Sequence, residues 1–179
     1  MSTRRAEHAV RGRFATPWGE GLATVWQGRL AAVELPPLGE SVDDVSDVCA
    51  DPADRRSLDR WVSQLEAYFR GERLCWAPDE VHLEQWAMTP FQRAVYETLL
   101  SVPAGMTVSY GALAAAAGYP RAARAVGSAM AANEIPVVVP CHRVIRSDGS
   151  LGHYGDDPAW KERLLAHERL HAGRAGGGG

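Results

Sequence analysis

Several features that would fix a function class are scarce or missing in this chain. Only three cysteines occur in 179 residues, Cys49, Cys75 and Cys141, and no pair is spaced Cys-x-x-Cys. A disulfide framework is therefore excluded, and a structural zinc site is not expected, because both need clustered thiols. A site drawing on Cys49, Cys75 and histidines stays open. No apolar run approaches the ~20 residues needed to span a bilayer. The opening residues, Met1 to His8, lack the apolar segment of a secretory signal. The expectation is a soluble cytoplasmic protein with no membrane contact. An excess of positive charge is also lacking. The formal net charge is −3, which argues against a general nucleic-acid binder.

The distribution of charge says more than its sum. Glu40 to Glu84 holds twelve acids and five arginines, net −7. Tyr110 to Ile145 holds three arginines (Arg121, Arg124, Arg143) and one acid, Glu134. The second half is compatible with a polyanion and the first is not. With 46% hydrophobic residues the chain can bury a real core. Its length suits one domain or two small ones.

The pattern predicts an α+β protein in two parts. In the first, residues 1–85, Gly21 to Leu35 reads as a hairpin turning at Gly28-Arg29. Pro36 to Asp54 reads as a loop. Ser57 is expected to cap a helix with Leu58, Trp61, Val62, Leu65, Tyr68 and Phe69 inside, ended by Gly71. Leu74 to Trp86 is expected to add a strand.

The second part, residues 86–172, is mainly helical, and 173–179 reads as a glycine-rich disordered tail. Thr89-Pro90 starts a helix carrying Phe91, Val95, Leu99 and Leu100 inward. Ser109 caps another over Tyr110–Ala117. Gly118-Tyr119-Pro120 turns the chain into a helix from about Arg121 to Ala132, which makes a helix-turn-helix. This second helix is built of alanine, glycine and two arginines, with Arg124 expected on the face of Arg121. It lacks the side chains that read base edges in the major groove and suits a widened minor groove, or close packing on another element. Asp157-Pro158 opens a last helix.

The densest chemistry lies at Ile135-Pro-Val-Val-Val-Pro-Cys141-His142-Arg143-Val144-Ile145. Three valines between two prolines predict a short buried strand with abrupt ends. A thiol, an imidazole and a guanidinium follow it directly. A cysteine attacks as the thiolate, which basic and cationic neighbours favour. Adjacent residues of an extended chain point to opposite sides, so His142 reaches Sγ only through a water or after a sharp turn.

Pro140-Cys141-His142-Arg143-Val144-Ile145 resembles the signature of the O6-alkylguanine-DNA alkyltransferases. Thr107-Val-Ser-Tyr110-Gly-Ala-Leu-Ala resembles that family's first helix-turn-helix element. Ala122-Ala123-Arg124-Ala-Val-Gly127 resembles its recognition helix, Asn133 its asparagine hinge, and Tyr154-Gly155 with Leu164-Leu-Ala-His-Glu168 its pocket loop and closing helix. The order and spacing hold from Thr89 to Glu168; the first half matches only loosely.

The resemblance implies direct-reversal repair. Duplex DNA bearing O6-alkylguanine is bound mainly through the minor groove by a monomer, associated with the nucleoid. The nucleotide flips out, Arg124 takes its place, and Tyr110 helps expel the base and protonates the purine. Ala122, Ala123, Gly127 and Ser147 join the DNA surface. The base enters a pocket of Pro136, Val144, Tyr154 and Gly155. Cys141 takes the alkyl group irreversibly, activated through water by His142 and Glu168 and braced by Asn133. No cofactor and no metal is implied. O4-alkylthymine is a further substrate the residues do not distinguish.

One departure stands out. Asp156 follows the pocket loop where small residues are common in the family, and is expected to favour methyl over bulky adducts, or simply to be solvated. Other readings carry less. A non-enzymatic lesion binder of the alkyltransferase-like type lacks the cysteine. A helix-turn-helix regulator needs base-reading side chains. A tyrosine phosphatase needs five residues between Cys and Arg, and Cys141 to Arg146 leaves four.

Overall fold

Phe14 lies flat on Gly21, its cross-strand partner, and a Cβ there would come within 2.2 Å of the Phe14 ring. That glycine lets the ring sink into the first of two units. The structure is a computed structural model and describes residues 9–36, 51–86, 88–152, 154–155, 157 and 159–175. Contacts divide the chain between Arg73 and Leu74.

In the first unit β1 (Val10–Thr16), β2 (Gly19–Trp26) and β3 (Arg29–Glu34) form an antiparallel meander. The expected hairpin is present, but it turns one residue early. Gln27 (φ 52°) and Gly28 (φ 76°) both take the left-handed conformation that a two-residue hairpin turn needs. β1 escaped the sequence reading because arginines and Gly12 interrupt its alternation.

Helix α1 (Pro52–Phe69) starts earlier than expected. Its cap is Asp51, whose side chain accepts from Ala53 N, and Pro52 opens the first turn. Ser57 sits inside the helix and donates to Gly28 O at 2.7 Å, while Gly28 N donates to the buried Asp54 carboxylate. The helix is thereby tied to the hairpin tip. Leu58, Trp61, Leu65, Tyr68 and Phe69 form its buried face. Each such side chain contributes about 1.5–3 kcal/mol by leaving water. Residues 37–50, including most of the predicted loop and Cys49, lie outside the described residues.

Leu74 to Trp86 belongs with the second unit and is not a strand. A one-turn helix α2 (Pro78–Val81) forms there, with Glu80 accepting from Ala77 N at 2.8 Å. Pro78 followed by two acids is a helix start, and that local preference wins. Helix α3 (Pro90–Leu100) has the expected Thr89 cap, which accepts from Gln92 N at 3.1 Å. Phe91 is only half-buried and packs edge-on against Tyr119 at 5.0 Å, while Val95, Tyr96, Leu99 and Leu100 form the buried face.

β4 (Val108–Ser109) pairs in parallel with β5 (Val144–Ile145). The Ser109 side chain then accepts from Ala112 N at 3.1 Å and starts α4 (Tyr110–Ala116). α5 (Ala123–Ala131) completes the helix-turn-helix. Arg121 lies before it in the left-handed region at φ 76°, so Arg121 and Arg124 do not share a helix face as expected. The Tyr96 hydroxyl donates to Ala129 O at 2.7 Å and fixes the end of α5 against α3. α6 (Ala159–Ala175) closes the unit, with Asp157 accepting from Ala159 N at 2.9 Å. It runs past the expected boundary at 172; residues 176–179 lie outside the described residues.

Candidate active site

The valine run is a tight turn, not a strand. Val139 N donates to Ile135 O at 3.0 Å, and Val137 is buried with φ 74°. A β-branched residue is strained there, by about 1–3 kcal/mol, and persists only where its surroundings over-determine it. Asn133 supplies part of that constraint. Its Oδ1 accepts from Ile135 N at 3.1 Å, and its Nδ2 donates to Val139 O at 2.9 Å. One side-chain amide thus stands where a strand partner was expected. The same Nδ2 reaches Cys141 Sγ at 3.1 Å.

After Pro140, Cys141–Arg143 winds into one 3-10 turn. This is the sharp turn that frees His142 from the opposite-side rule of extended chain. All three side chains are buried, Cys141 at 7% exposure and His142 at 0%. His142 Nε2 lies 2.7 Å from Glu168 Oε1 on α6. His142 Nδ1 is buried and has no hydrogen-bond partner among the described residues. No direct bond joins the imidazole to the thiol.

Arg143, expected as a cationic neighbour of the thiol, turns instead to Glu168. Its Nε donates to both oxygens of Glu168 at 3.2 and 3.0 Å, and one terminal nitrogen adds a bond of 2.8 Å. It also donates to Val102 O at 2.5 Å and Leu74 O at 2.7 Å. Gly105 N donates to Glu168 Oε2 at 2.9 Å. The sign of this inward role was three polar residues in a row, Cys141 to Arg143, inside an apolar run.

Lys161 was passed over in the sequence. It is 1% exposed, and its ammonium lies 5.8 Å from the Tyr110 ring centre. It shares one stripe of α6 with Leu164, Leu165 and Glu168, all buried, so a lysine on an apolar stripe was the visible sign.

These neighbours set the ionisation. Burial pushes the Cys141 thiol up, and hydrogen bonds from Asn133 and Tyr154 and the charge of Lys161 pull it back only in part. Burial lowers His142, against the pull of Glu168, and the charges of Arg143 and Lys161 lower it further. Burial alone would raise Glu168, but His142 and Arg143 hold it well below the carboxylate range. Burial and the nearby Cys141 raise Tyr110, with Arg146 opposing, so it stays a phenol donor. The arrangement is a neutral thiol beside a neutral imidazole that is anchored on an ionised carboxylate.

Tyr110 opens α4 and is half-buried, as are Pro136 and Tyr154; Val144 is buried, and Gly155 is exposed at φ 45°. Val144 N donates to Cys141 O, which keeps a second lone pair for another donor. Arg124 and Ser147 are exposed, and Ala122, Ala123 and Gly127 are half-buried. Asp156 lies outside the described residues. Cys75 is an exposed free thiol, and no metal-binding group of His, Cys, Asp or Glu occurs among the described residues.

A family model described as the DNA-binding domain of 6-O-methylguanine DNA methyltransferase matches residues 90–170. A methylated-DNA--protein-cysteine methyltransferase of Mus musculus is 49% identical over 118 residues, 62% of this chain and 54% of that one. The Mycolicibacterium paratuberculosis protein of the same name is 48% identical over 111 residues, 62% of this chain and 65% of that one. The chain thus spans about half to two thirds of the length of these curated relatives. The crystal structure of Mycobacterium tuberculosis O6-methylguanine methyltransferase is 34% identical, with a TM-score of 0.71 over 91% of this chain and 94% of that one. The crystal structure of Mycobacterium tuberculosis OGT in complex with DNA is also 34% identical, with a TM-score of 0.71 over 90% of this chain and 93% of that one.

Proposed function

Because the chain belongs to the 6-O-methylguanine DNA methyltransferase family, we propose that it repairs alkylated DNA by taking the alkyl group from O6 of guanine onto Sγ of its own Cys141. One observation carries this reading. A buried thiol held by Asn133 is followed by an imidazole locked on Glu168, with Nδ1 left to accept a proton.

The target atom is inaccessible in stacked duplex, so the nucleotide must leave the stack. Arg124, exposed on α5, fills the gap. The helix approaches the minor groove through Ala122, Ala123 and Gly127. A Cβ added at Gly127 would meet nothing within 4 Å, so packing inside the chain does not require that glycine. A close-approaching partner would. Ser147 sits in an exposed turn on the same chain segment as the site. The flipped base lies among Pro136, Val144, Tyr154 and Gly155.

The thiol proton passes to His142 Nδ1 through a water, leaving the thiolate. Sulfur attacks the alkyl carbon, an S–C bond forms, and the O6–C bond breaks. Tyr110 donates a proton to the departing purine, and the proton held by His142 restores the phenol. Net, the S–H and O–C bonds are exchanged for an S–C bond and an N–H bond of guanine. No cofactor enters the balance. A thioether is a poor leaving group, so each molecule acts once. O4-alkylthymine presents the same alkyl–oxygen bond and is a second substrate by this chemistry.

Intact mass after incubation with duplex bearing O6-methylguanine tests the reading. One methyl gained by wild type and none by Cys141→Ala is the expected result. No gain at stoichiometric lesion rejects it.

A further inference from the structure

Arg146 follows β5 and closes the turn beyond it. Its N–H donates to Ser150 O at 2.9 Å, and its carbonyl accepts from Gly149 N at 3.0 Å, with Gly149 at φ 84°. That turn sends the side chain back over Gly152. A Cβ built at Gly152 would lie 3.4 Å from the Tyr110 hydroxyl, 3.7 Å from Arg146 Cγ and 3.7 Å from Arg146 Nε. A phenol and a guanidinium therefore flank one glycine, and the missing side chain lets both lie there.

The guanidinium is exposed and makes no hydrogen bond or ion pair among the described residues. Asp148 is on the same turn and feels the Arg146 charge, but forms no ion pair with it; its Oδ1 accepts from both Ser150 N and Ser150 Oγ, at 2.9 and 2.7 Å. A fork of N–H donors is thus left facing outward beside Tyr110. Planar forks of this kind match the two free oxygens of a phosphodiester. Tyr110 is the residue past which a flipped nucleotide travels.

We propose that Arg146 is a positioning residue that grips the backbone phosphate of the flipped nucleotide and so holds that nucleotide out of the stack. The inference rests on the alkyltransferase reading above. The packing of the aliphatic stem across Gly152 pre-orders the fork, so little side-chain freedom is lost on binding. The charge also opposes the upward push that burial gives the Tyr110 phenol, which keeps the phenol a better donor.

The test compares two substrates. Duplex bearing O6-methylguanine carries phosphates, and free O6-benzylguanine base carries none. Labelling rates at sub-saturating substrate are measured for wild type, Arg146→Gln and Arg146→Lys across a salt series. For Arg146→Gln the duplex-to-free-base rate ratio is expected to fall about tenfold, and the slope of log rate against log salt to become shallower by about 0.9, one phosphate contact. Arg146→Lys keeps the charge without the fork, so the slope returns and the ratio recovers only in part. A ratio and slope equal to wild type overturn the proposal, as does an equal fall on both substrates, which would place Arg146 in the chemistry and not on the phosphate. A wild type that reacts with neither substrate overturns the parent reading instead.

Discussion

His142 Nε2 stands 2.7 Å from Glu168 Oε1, and that contact assigns both ring nitrogens. An ionised carboxylate only accepts, so Nε2 carries the proton and Nδ1 is the base. Arg143 holds the carboxylate ionised by binding both of its oxygens. The imidazole is therefore not shared freely with Glu168, and burial can keep it neutral.

The rate of methyl transfer should fall on the acid side at a midpoint below the ordinary imidazole value of 6.5, because His142 is held down. His142→Ala should lose about 10²- to 10⁴-fold near neutrality, the usual range for a general base. A pH–rate profile of both proteins checks this. A wild-type midpoint above 6.5 contradicts the neutral imidazole.

Stability should follow the same groups. His142 is depressed in the folded state, so its contribution is full above 6.5 and declines as pH drops below that. Glu168 is depressed too, so its contribution is present above 4.5 and is lost as pH falls toward its folded value. Denaturant midpoints should therefore fall in two stages on acidification. In Glu168→Gln the lower stage should flatten.

Asn133 has two separable jobs. Asn133→Ala removes three hydrogen bonds around the turn and the thiol. At about 0.5–1.5 kcal/mol each, the loss is roughly 2–4 kcal/mol. Asn133→Asp keeps the acceptor for Ile135 N but sets a negative charge beside sulfur. Its thiol should alkylate with iodoacetamide more slowly than wild type. Chemical denaturation and thiol labelling separate the two effects.

Arg143→Met should cost about 3–5 kcal/mol, because Glu168 is left buried without its guanidinium. Arg143→Lys keeps the charge but cannot reach Val102 O, Leu74 O and Glu168 together, so most of that loss should remain. Urea unfolding measures both.

Lys161→Met should split rate from stability. Removing the cation raises the thiol further, so labelling near pH 7 slows several-fold and its alkaline midpoint moves up. Removing a buried ammonium is neutral or stabilising when an apolar side chain fills the space. Equal losses in both measurements would make Lys161 a packing residue.

Much of the second unit was legible because its starts are local. Thr89 and Ser109 cap with their own hydroxyls, and both caps stand where the residues put them. Asp51-Pro52 carries the same code, and there the helix starts six residues before the Ser57 cap that was expected. The valine run misled for a longer-range reason. β-branched residues favour extended chain only when a strand is available to pair, and here the Asn133 amide takes those bonds. Cys141 and His142 were legible from the residues themselves and Asn133 and Glu168 through a resemblance; the folded chain bonds Asn133 to Cys141 and His142 to Glu168. Lys161 was not found, and neither was the inward role of Arg143, whose partners lie up to 69 residues away in sequence.

The Glu168 carboxylate also bears on which sequences can occupy this fold. One oxygen meets an imidazole and a guanidinium, and the other a guanidinium and the Gly105 amide, all of them donors. Glutamine would turn an N–H toward one of those donors, and aspartate is a methylene short of reaching them. Either replacement breaks bonds that tie α6 to the 3-10 turn at the same atoms that orient His142, so stability and thiol reactivity should shift together at Glu168.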